Sequence, residues 1–214
     1  MSSAPLSEDS RHLRLELCEL AARYHGMGWL FGTSGNLSGR FAAADGVDRV
    51  VITASGRDKG RLGPEDFVEV PLSGPVTRSG DRKPSAETSI HLAVYAADPS
   101  ARAVLHVHTV ASTLLRPEGG APGEIDFQGR EMVKGWGRWE PGAHAALPFF
   151  PNHPEVPRIS EEISDWLSEP NRVPALVIED HGITAWGEDL RAAHRHLEVT
   201  EFLCRLALAD RSQP

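Results

Sequence analysis

Apolar residues recur every three or four positions in several stretches of the chain, which is the spacing of one face of an α-helix. Leu13, Leu17, Leu20 and Tyr24 have this spacing and predict a helix over about residues 8–25. Later stretches predict four more helices, from Pro84 to Asp98, at Ala111–Leu115, around Ile159–Leu167 and at Leu190–Ala209.

Short apolar runs with β-branched residues, bounded by glycine-rich turns, predict the strands. They lie at Asn36–Phe41, Arg49–Thr53, Phe67–Val70, Ala103–His108 and Pro174–Ile178, and another apolar stretch covers Ile183–Gly187. Residues 116–129 are rich in glycine and proline and predict a loop. This mixture favours the α/β class, as a three-layer α/β/α fold with a largely antiparallel central sheet. The length of 214 residues favours a single domain over residues 1–214.

Two histidines alternate with apolar residues in the predicted strand Ala103-Val-Leu-His-Val-His108. Side chains at positions i and i+2 of a strand point to the same face, so His106 and His108 project together. Because the flanking residues are apolar, the strand should be mostly buried. Two imidazoles on one buried face are half of a zinc or similar divalent-metal site, and the alternative is a hydrogen-bonded pair of core histidines.

A third histidine, His181, follows the predicted strand Pro174–Ile178 in the segment Glu179-Asp-His-Gly182. The glycine permits a tight turn that would present the imidazole at a strand end. An ordinary surface histidine would fit the same segment. Catalytic zinc, however, commonly has three protein ligands and an open position for water or substrate, and the three histidines would supply such a set.

Three segments of small polar residues could bind a phosphate group. Gly32-Thr-Ser-Gly-Asn36 and Thr53-Ala-Ser-Gly56 offer hydroxyls and backbone N–H groups, and Ser85 stands at a helix start, where an anion is favoured. The candidate residues are Thr33, Ser34, Asn36, Ser55, Gly56, Lys59 and Ser85. Each segment alone is more often a plain turn or helix cap, and none matches a nucleotide P-loop or dinucleotide fingerprint.

Two glutamates are candidates for proton transfer. Glu131 lies beside Met and Val in the glycine-bounded segment 129–135, where partial burial would suit an acid/base residue. Glu87 lies at the predicted start of the second helix. The simpler alternatives are an ion pair of Glu131 with Arg130 or Lys134, and a favourable interaction of Glu87 with the helix dipole.

Composition narrows the partners and the compartment. The chain has 22 Lys and Arg against 30 Asp and Glu, a net charge of −8, which argues against a nucleic-acid or anionic-membrane partner. No apolar stretch approaches the length of a membrane span, and the polar N-terminus lacks a signal-peptide pattern, so we expect a cytoplasmic protein. Cys18 and Cys204 lie in predicted helices and are expected to be reduced packing thiols.

Five segments follow one another between about residues 10 and 208: Gly-Thr-Ser-Gly-Asn, Thr-Ala-Ser-Gly, Pro-Ser-Ala-Glu-Thr, Val-Leu-His-Val-His-Thr and His-Gly-Ile-Thr-x-Trp-Gly. In this order they resemble the class II aldolase/adducin family. The resemblance implies one zinc ion per subunit, bound by His106, His108 and His181, and a homotetramer with active sites near the subunit interfaces. It also implies that Glu131 is the acid/base residue, whereas the aldolase branch uses the glutamate that matches Glu87.

Within the family, Arg-Glu-Met-Val-Lys-Gly135 and the following Trp139-Glu140 are most similar to the branch that dehydrates a 5-methylthio ketopentose 1-phosphate in methionine salvage. That resemblance implies zinc-assisted loss of the C3 proton to an enediolate, then loss of the C4 hydroxyl with a proton from Glu131.

Two alternatives remain. A zinc-dependent sugar-phosphate aldolase or epimerase of the fuculose- or ribulose-phosphate type would use the same pocket, but relatives of that kind use a tyrosine as proton donor, and only Tyr24 and Tyr95 occur here. A non-catalytic module like the adducin head shares the fold. Such a module has no reason to keep three metal-type histidines and Glu131.

Overall fold

The computed structural model of the protein describes residues 8–43, 45–73 and 82–212. Within them the helices are α1 (Glu8–Gly26), α2 (Thr88–Ala97), α3 (Val110–Leu114), α4 (Val156–Leu167) and α5 (Leu190–Arg211). The strands are β1 (Asn36–Ala42), β2 (Asp48–Thr53), β3 (Phe67–Pro71), β4 (Ala103–Val107), β5 (Gly123–Asp126), β6 (Ala146–Phe150), β7 (Ala175–Ile178) and β8 (Gly182–Gly187). None of these helices is both long and apolar enough to cross a bilayer.

The strands form one sheet in the order β3-β2-β1-β4-β8-β7-β6-β5. Neighbouring strands are antiparallel except β6 and β7, which are parallel. The predicted α/β class with a largely antiparallel sheet is therefore confirmed. Near the middle of the sheet, β4 places His106 opposite Asn36 of β1 on one side and opposite Thr184 of β8 on the other.

The side chains of β4 alternate between two apolar cores, one on each face of the sheet. Leu105 and Val107 belong to a core that also contains buried residues of α1 and α5. Val104 belongs to the opposite core, which α2 and α4 complete. The sheet thus carries a helical layer on each face, as the three-layer prediction requires, and β4 is buried throughout, as its apolar residues indicate.

The second helix begins later than predicted. The sequence places its start at Pro84, whereas α2 begins at Thr88. Ser85 and the next two residues form a turn in which the Ser85 carbonyl oxygen accepts hydrogen bonds from the Thr88 N–H at 3.2 Å and from its hydroxyl at 2.6 Å. Ser85 and Glu87 therefore stand in a turn that leads into the helix.

The loop predicted over residues 116–129 is wrong in part, because β5 lies within it, and β6 was not predicted at all. Residues of β5 alternate between half-buried and exposed, and its partner in the sheet is β6, with Glu124 opposite Pro148. A four-residue edge strand has a weak local signal, since its conformation depends on pairing. Pro148 obscures β6, because proline is rare inside strands.

Both cysteines are free and lie in helices, as predicted. Cys204 is buried in α5 and Cys18 is half-buried in α1. Burial raises the pKa of the Cys18 thiol to about 11, so it stays protonated near neutral pH and is a poor nucleophile.

Gly182 begins β8 directly after His181 and lies against the end of β4. A Cβ atom here would lie 2.2 Å from the Val107 carbonyl oxygen and 3.0 Å from the His108 ring. Because the sheet holds the carbonyl in place, β4 and β8 would have to separate. We expect Gly182→Ala to lower the free energy of unfolding by about 1–3 kcal/mol, the usual cost of overpacking an interior, as measured by urea denaturation.

Gly26→Ala is the matched control. A Cβ atom at the end of α1 meets nothing within 4 Å, so this change should stay within about 0.5 kcal/mol of the wild type. Equal stability of the two variants would show that β4 and β8 tolerate a wider spacing at this point.

Candidate metal centre and adjoining polar cavity

Four potential metal ligands converge at one end of the central strands. Glu87, His106, His108 and His181 each offer one ligand atom, and these atoms lie within 4.8 Å of one another. His106 lies in β4 and His108 directly follows it, whereas His181 lies in the turn between β7 and β8. Because β8 pairs antiparallel with β4, this turn comes next to the other two histidines. The structure thus brings the three predicted histidines together and adds Glu87 from the turn before α2.

The three imidazole rings stand edge to face. Their centroids lie 4.6–4.9 Å apart, and their planes cross at 79–88°. The Nε2 atoms of His106 and His108 are 2.9 Å apart. On its other side, His106 Nδ1 lies 3.0 Å from the Thr184 hydroxyl. That contact orients the ring from behind, as outer partners do for metal-binding histidines.

The Glu87 carboxylate closes the cluster. Its Oε1 lies 2.8 Å from His181 Nε2, and its Oε2 lies 3.3 Å from His106 Nε2. The Asn36 side-chain amide donates to Oε2 at 2.5 Å. Burial alone would raise the pKa of Glu87, but the two imidazoles and the amide hold it well below its usual range, so the carboxyl group is ionised.

Two histidines of the cluster, His106 and His108, are neutral at physiological pH. Burial lowers the pKa of His106 well below its usual range and that of His108 to about 4. Metals bind the neutral imidazole and the ionised carboxylate. These groups therefore need not lose a proton before a metal binds.

This donor set fits a divalent metal ion. Three imidazole nitrogens and a carboxylate oxygen are ligand types that zinc takes in catalytic sites. Within the described part of the chain, the buried His181 Nδ1 has no hydrogen-bond partner. A buried nitrogen without a partner is uncommon unless water or a ligand completes it. The cluster could therefore hold a metal.

A cavity of about 250 Å³ opens beside the cluster, and Glu87 and His108 form part of its wall. Its lining includes all seven residues predicted to bind phosphate: Thr33, Ser34, Asn36, Ser55, Gly56, Lys59 and Ser85. Ala54 and Pro84 form a bridge, and the Ser55 N–H donates to the Lys83 carbonyl oxygen at 2.9 Å. These bonds join the segment after β2 to the turn before α2.

Lys59 supplies positive charge to the cavity wall. Its side chain is only 2% exposed, and its ammonium group donates to the carbonyl oxygens of Thr33 at 2.7 Å and Arg57 at 3.0 Å. Burial lowers the pKa of Lys59, while the Glu87 carboxylate acts in the opposite direction. An ammonium group with hydroxyls and backbone N–H groups around it suits an anionic ligand such as phosphate.

The family model described as Class II Aldolase and Adducin N-terminal domain matches residues 15–208. The chain belongs to the class II aldolase/adducin family. The resemblance inferred from its motifs is thereby confirmed.

Several similar proteins are named for one enzyme activity. A methylthioribulose-1-phosphate dehydratase from Microcystis aeruginosa is 40% identical over 202 residues, which cover 92% of this chain and 95% of the relative. One from Geobacillus kaustophilus is 37% identical, covering 89% of this chain and 88% of the relative. Among solved structures, YgbL from Escherichia coli has a TM-score of 0.78 at 28% identity, covering 97% of this chain and 93% of its own.

A more distant structure shows the fold alone. L-fuculose-1-phosphate aldolase from Thermus thermophilus has a TM-score of 0.69 at 23% identity, covering 94% of this chain and 96% of its own. The three-layer architecture is therefore shared with class II aldolases.

Glu131, the other predicted acid/base residue of this class II aldolase/adducin chain, lies outside the cluster. Its side chain is 81% exposed and pairs with Lys134 at 2.8 Å. It begins the 3₁₀ turn Glu131–Trp136, which is tied to α5 by a hydrogen bond from Trp136 Nε1 to Thr200 Oγ1 at 3.1 Å. The simpler alternative, an ion pair with Lys134, is thus present, and the acid/base role stays a prediction.

The contacts that hold the potential metal ligands in place were not predicted from the sequence. Asn36 donates to Glu87, and its carbonyl oxygen lies 2.6 Å from His91 Nε2. His91 had a local signal, because it follows Glu87 by four residues, the spacing of one helix face. Thr184, which contacts His106, had no local signal for this contact, because strand pairing joins residues that are far apart in sequence.

The metal-free protein should lose stability as the pH falls from about 6.5 to 4. Burial lowers the pKa of His91 and His108 from 6.5 to about 4, and that of His106 further. In this range the unfolded chain binds protons that the folded chain does not bind. Each such histidine therefore costs about 1.4 kcal/mol of stability per pH unit of descent, as urea denaturation at pH 7, 6 and 5 would measure.

His91→Gln removes one of these groups and should reduce the slope of stability against pH between 6.5 and 5. His12→Gln, which changes an exposed histidine in α1, is the control and should leave the slope as it is. An unchanged slope in His91→Gln would show that His91 takes up its proton equally in both states.

Proposed function

We propose that the protein removes water from 5-methylthioribulose 1-phosphate to give 2,3-diketo-5-methylthiopentyl 1-phosphate, the reaction of a methylthioribulose-1-phosphate dehydratase in methionine salvage. One observation carries the proposal: the cluster of four potential metal ligands lies beside a hydroxyl-lined cavity. The chain that carries this site is 40% identical, over nearly its whole length, to a relative of that name. A ketose phosphate needs both parts, because its carbonyl and hydroxyl oxygens suit a metal and its phosphate suits the donors of the cavity.

The proposed metal is zinc, one ion per subunit, held by His106, His108 and His181. When bound, such an ion supplies Lewis-acid polarisation to the oxygens next to the carbon that loses its proton. Thr184 keeps the ring of His106 in a fixed orientation behind the site. Fixed ligands hold the substrate in one geometry for proton transfer.

We propose that Glu87 accepts the C3 proton. Its carboxylate is ionised, forms part of the cavity wall and is held by the Asn36 amide. An ionised carboxylate within reach of the substrate can act as a general base. The electron pair left at C3 then expels the hydroxyl at C4, and that oxygen needs a proton to depart as water.

Glu131 is the residue that we propose gives this proton. Because it is exposed on its own chain, it would act at the cavity of a neighbouring copy in the homotetramer that the family resemblance implies. Two large apolar side chains beside it, Met132 and Trp139, are 36% and 68% exposed, which supports a contact surface in this segment. The enol that remains after water leaves becomes the 2,3-diketone by tautomerisation.

The phosphate would bind in the cavity beside Lys59. The buried ammonium, the serine and threonine hydroxyls and the backbone N–H groups of the three loops would share its oxygens. The residues proposed to anchor it are Thr33, Ser34, Asn36, Ser55, Gly56, Lys59 and Ser85. Such an anchor fixes the distance from the phosphate to the reacting carbons.

A sugar-phosphate aldolase or epimerase is the second candidate. The contact of Glu87 with the histidine cluster favours it, because that position carries the acid/base glutamate in the aldolase branch. The two tyrosines weigh against it, since Tyr24 and Tyr95 are 0% and 2% exposed and burial raises the pKa of both. A non-catalytic module is less favoured still, because it has no use for the cluster.

We further propose that residues 1–214 act as one domain in the cytoplasm, on a small-molecule substrate and without nucleic-acid or membrane partners. The one sheet that joins all strands of the described residues supports the first point. The net charge of −8 supports the last, since it disfavours anionic partners.

Metal content tests the ligand set. Wild-type protein should contain about one divalent ion per chain, and His106→Ala should lose most of it, because catalytic zinc usually has only three protein ligands. His153→Ala is the control, since this histidine pairs with Glu162 outside the cluster. Elemental analysis after dialysis measures both, and an unchanged content in His106→Ala would remove it from the site.

Direct assay tests the function. Metal-loaded protein should convert 5-methylthioribulose 1-phosphate into the 2,3-diketone, identified by mass spectrometry as the loss of one water. Fuculose 1-phosphate and ribulose phosphates are run in parallel. Cleavage or epimerisation of these sugars, with no dehydration of the methylthio substrate, would favour the second candidate.

Glu131→Gln tests the proton donor. Glutamine keeps the size of the side chain but cannot transfer a proton, so kcat should fall by about 10²- to 10⁴-fold while metal content and folding stay normal. Glu124→Gln, an exposed carboxylate change in β5, should leave kcat unchanged. Near-normal turnover by Glu131→Gln alongside an inactive Glu87→Gln would assign the whole acid/base role to Glu87.

A further inference from the structure

A chain of hydrogen bonds runs from Glu87 into the interior between β1 and α2. The Asn36 amide donates to Glu87, and its carbonyl oxygen lies 2.6 Å from His91 Nε2. His91 Nδ1 lies 2.7 Å from the Ser38 hydroxyl, which lies 2.9 Å from the Tyr95 hydroxyl. The helix residues are four apart and the strand residues two apart, so each set shares one face of its element.

In this series of hydrogen bonds, the donor and the acceptor of each bond can be assigned from the neighbouring group. An ionised carboxylate only accepts, so Asn36 turns its NH₂ group toward Glu87 and its oxygen toward His91. That oxygen also only accepts, so His91 carries its proton on Nε2. Nδ1 of His91 then accepts from the Ser38 hydroxyl, and the Ser38 oxygen accepts from Tyr95.

This chain of hydrogen bonds is shielded from water behind Glu87. Asn36 is 3% exposed, Ser38 and His91 are 0% exposed, and Tyr95 is 2% exposed. A buried polar group that loses its partner has no water to replace it, so a reversed bond would leave groups unpaired. Burial also lowers the pKa of His91 to about 4, so its ring carries a single proton at neutral pH.

We propose that His91, supported by Ser38 and Tyr95, is a positioning residue that holds the Asn36 amide in the orientation that donates to Glu87. This bond keeps the Glu87 carboxylate turned toward the histidine cluster. Without the His91 N–H, the Asn36 amide can rotate and present its oxygen to the carboxylate, which repels it. The kinetic consequence rests on the proposed function, because it takes Glu87 to be the group that accepts the substrate proton.

The first test compares His91→Gln with His91→Leu in the metal-loaded protein. Glutamine keeps an N–H donor for Asn36, and leucine removes it. We expect kcat of His91→Leu to fall about 10- to 100-fold, the usual effect of removing a partner behind a site, with little change in KM and with the metal retained. His91→Gln should recover most of the lost activity, and equal loss in both variants would contradict the role of the N–H.

Two tyrosine variants separate positioning from packing. Tyr95→Phe removes the hydroxyl at the end of the chain and should lower kcat. Tyr24→Phe is the control, because Tyr24 is equally buried and its hydroxyl lies 2.8 Å from His194 Nδ1, between α1 and α5. Both variants lose a buried hydrogen bond, so equal kcat values would show that the network serves stability alone.

A double variant tests whether His91 acts through Glu87. If it does, adding His91→Leu to Glu87→Gln should lower kcat no further, whereas independent effects would multiply and overturn the proposal. The tautomer of His91 gives a readout without substrate: ¹⁵N NMR of metal-free protein should show the proton on Nε2. A proton on Nδ1 would overturn the assigned direction, and wild-type protein that has the Nε2 tautomer but no dehydratase activity would refute the proposed function alone.

Discussion

The pairing of β4 with β1 on one side and β8 on the other is the constraint on which the site depends. Its register places Asn36 and Thr184 opposite His106. One of these neighbours holds Glu87, and the other orients the His106 ring. In addition, β8 begins at Gly182, directly after His181, which brings this histidine to the end of β4. A slip of one residue in β4 would turn its histidine to the other face of the sheet and dismantle the cluster.

The same pairing brings polar groups into a region between two apolar cores, where each needs a partner. Glu87 is ionised and burial keeps His106 and His108 neutral, so these three groups together carry a negative charge when no metal is bound. A divalent cation compensates that charge. Lys59, in the wall of the adjoining cavity, has the opposite sign and suits an anion. One compact site thus favours a cation and an anionic group side by side, which is the requirement of a metal-dependent sugar-phosphate enzyme.

A feature of the fold or of the site could be predicted where its signal lies in a short stretch of sequence. The alternation of His106 and His108 and the helix periods are local, so the pairing of these two histidines on one face and the five helices of the described residues could be predicted. β5 and β6 were missed because an edge strand and a proline-containing strand depend on pairing with distant residues. The cavity was predicted from three local segments, but the position of Asn36 between Glu87 and His91 follows from tertiary contacts alone.

A dehydration needs a base and an acid that hold opposite protonation states at one pH, which two carboxyl groups achieve only in different surroundings. In the proposed mechanism Glu87 is the base, because an amide and imidazoles hold it ionised and able to accept a proton. The same contacts keep Glu87 unprotonated until it takes the C3 proton. Glu131, on its exposed turn, lies away from that amide and those imidazoles. An active site between copies would let one chain supply the base and its neighbour the acid, and the two environments would then stay separate until the chains assemble.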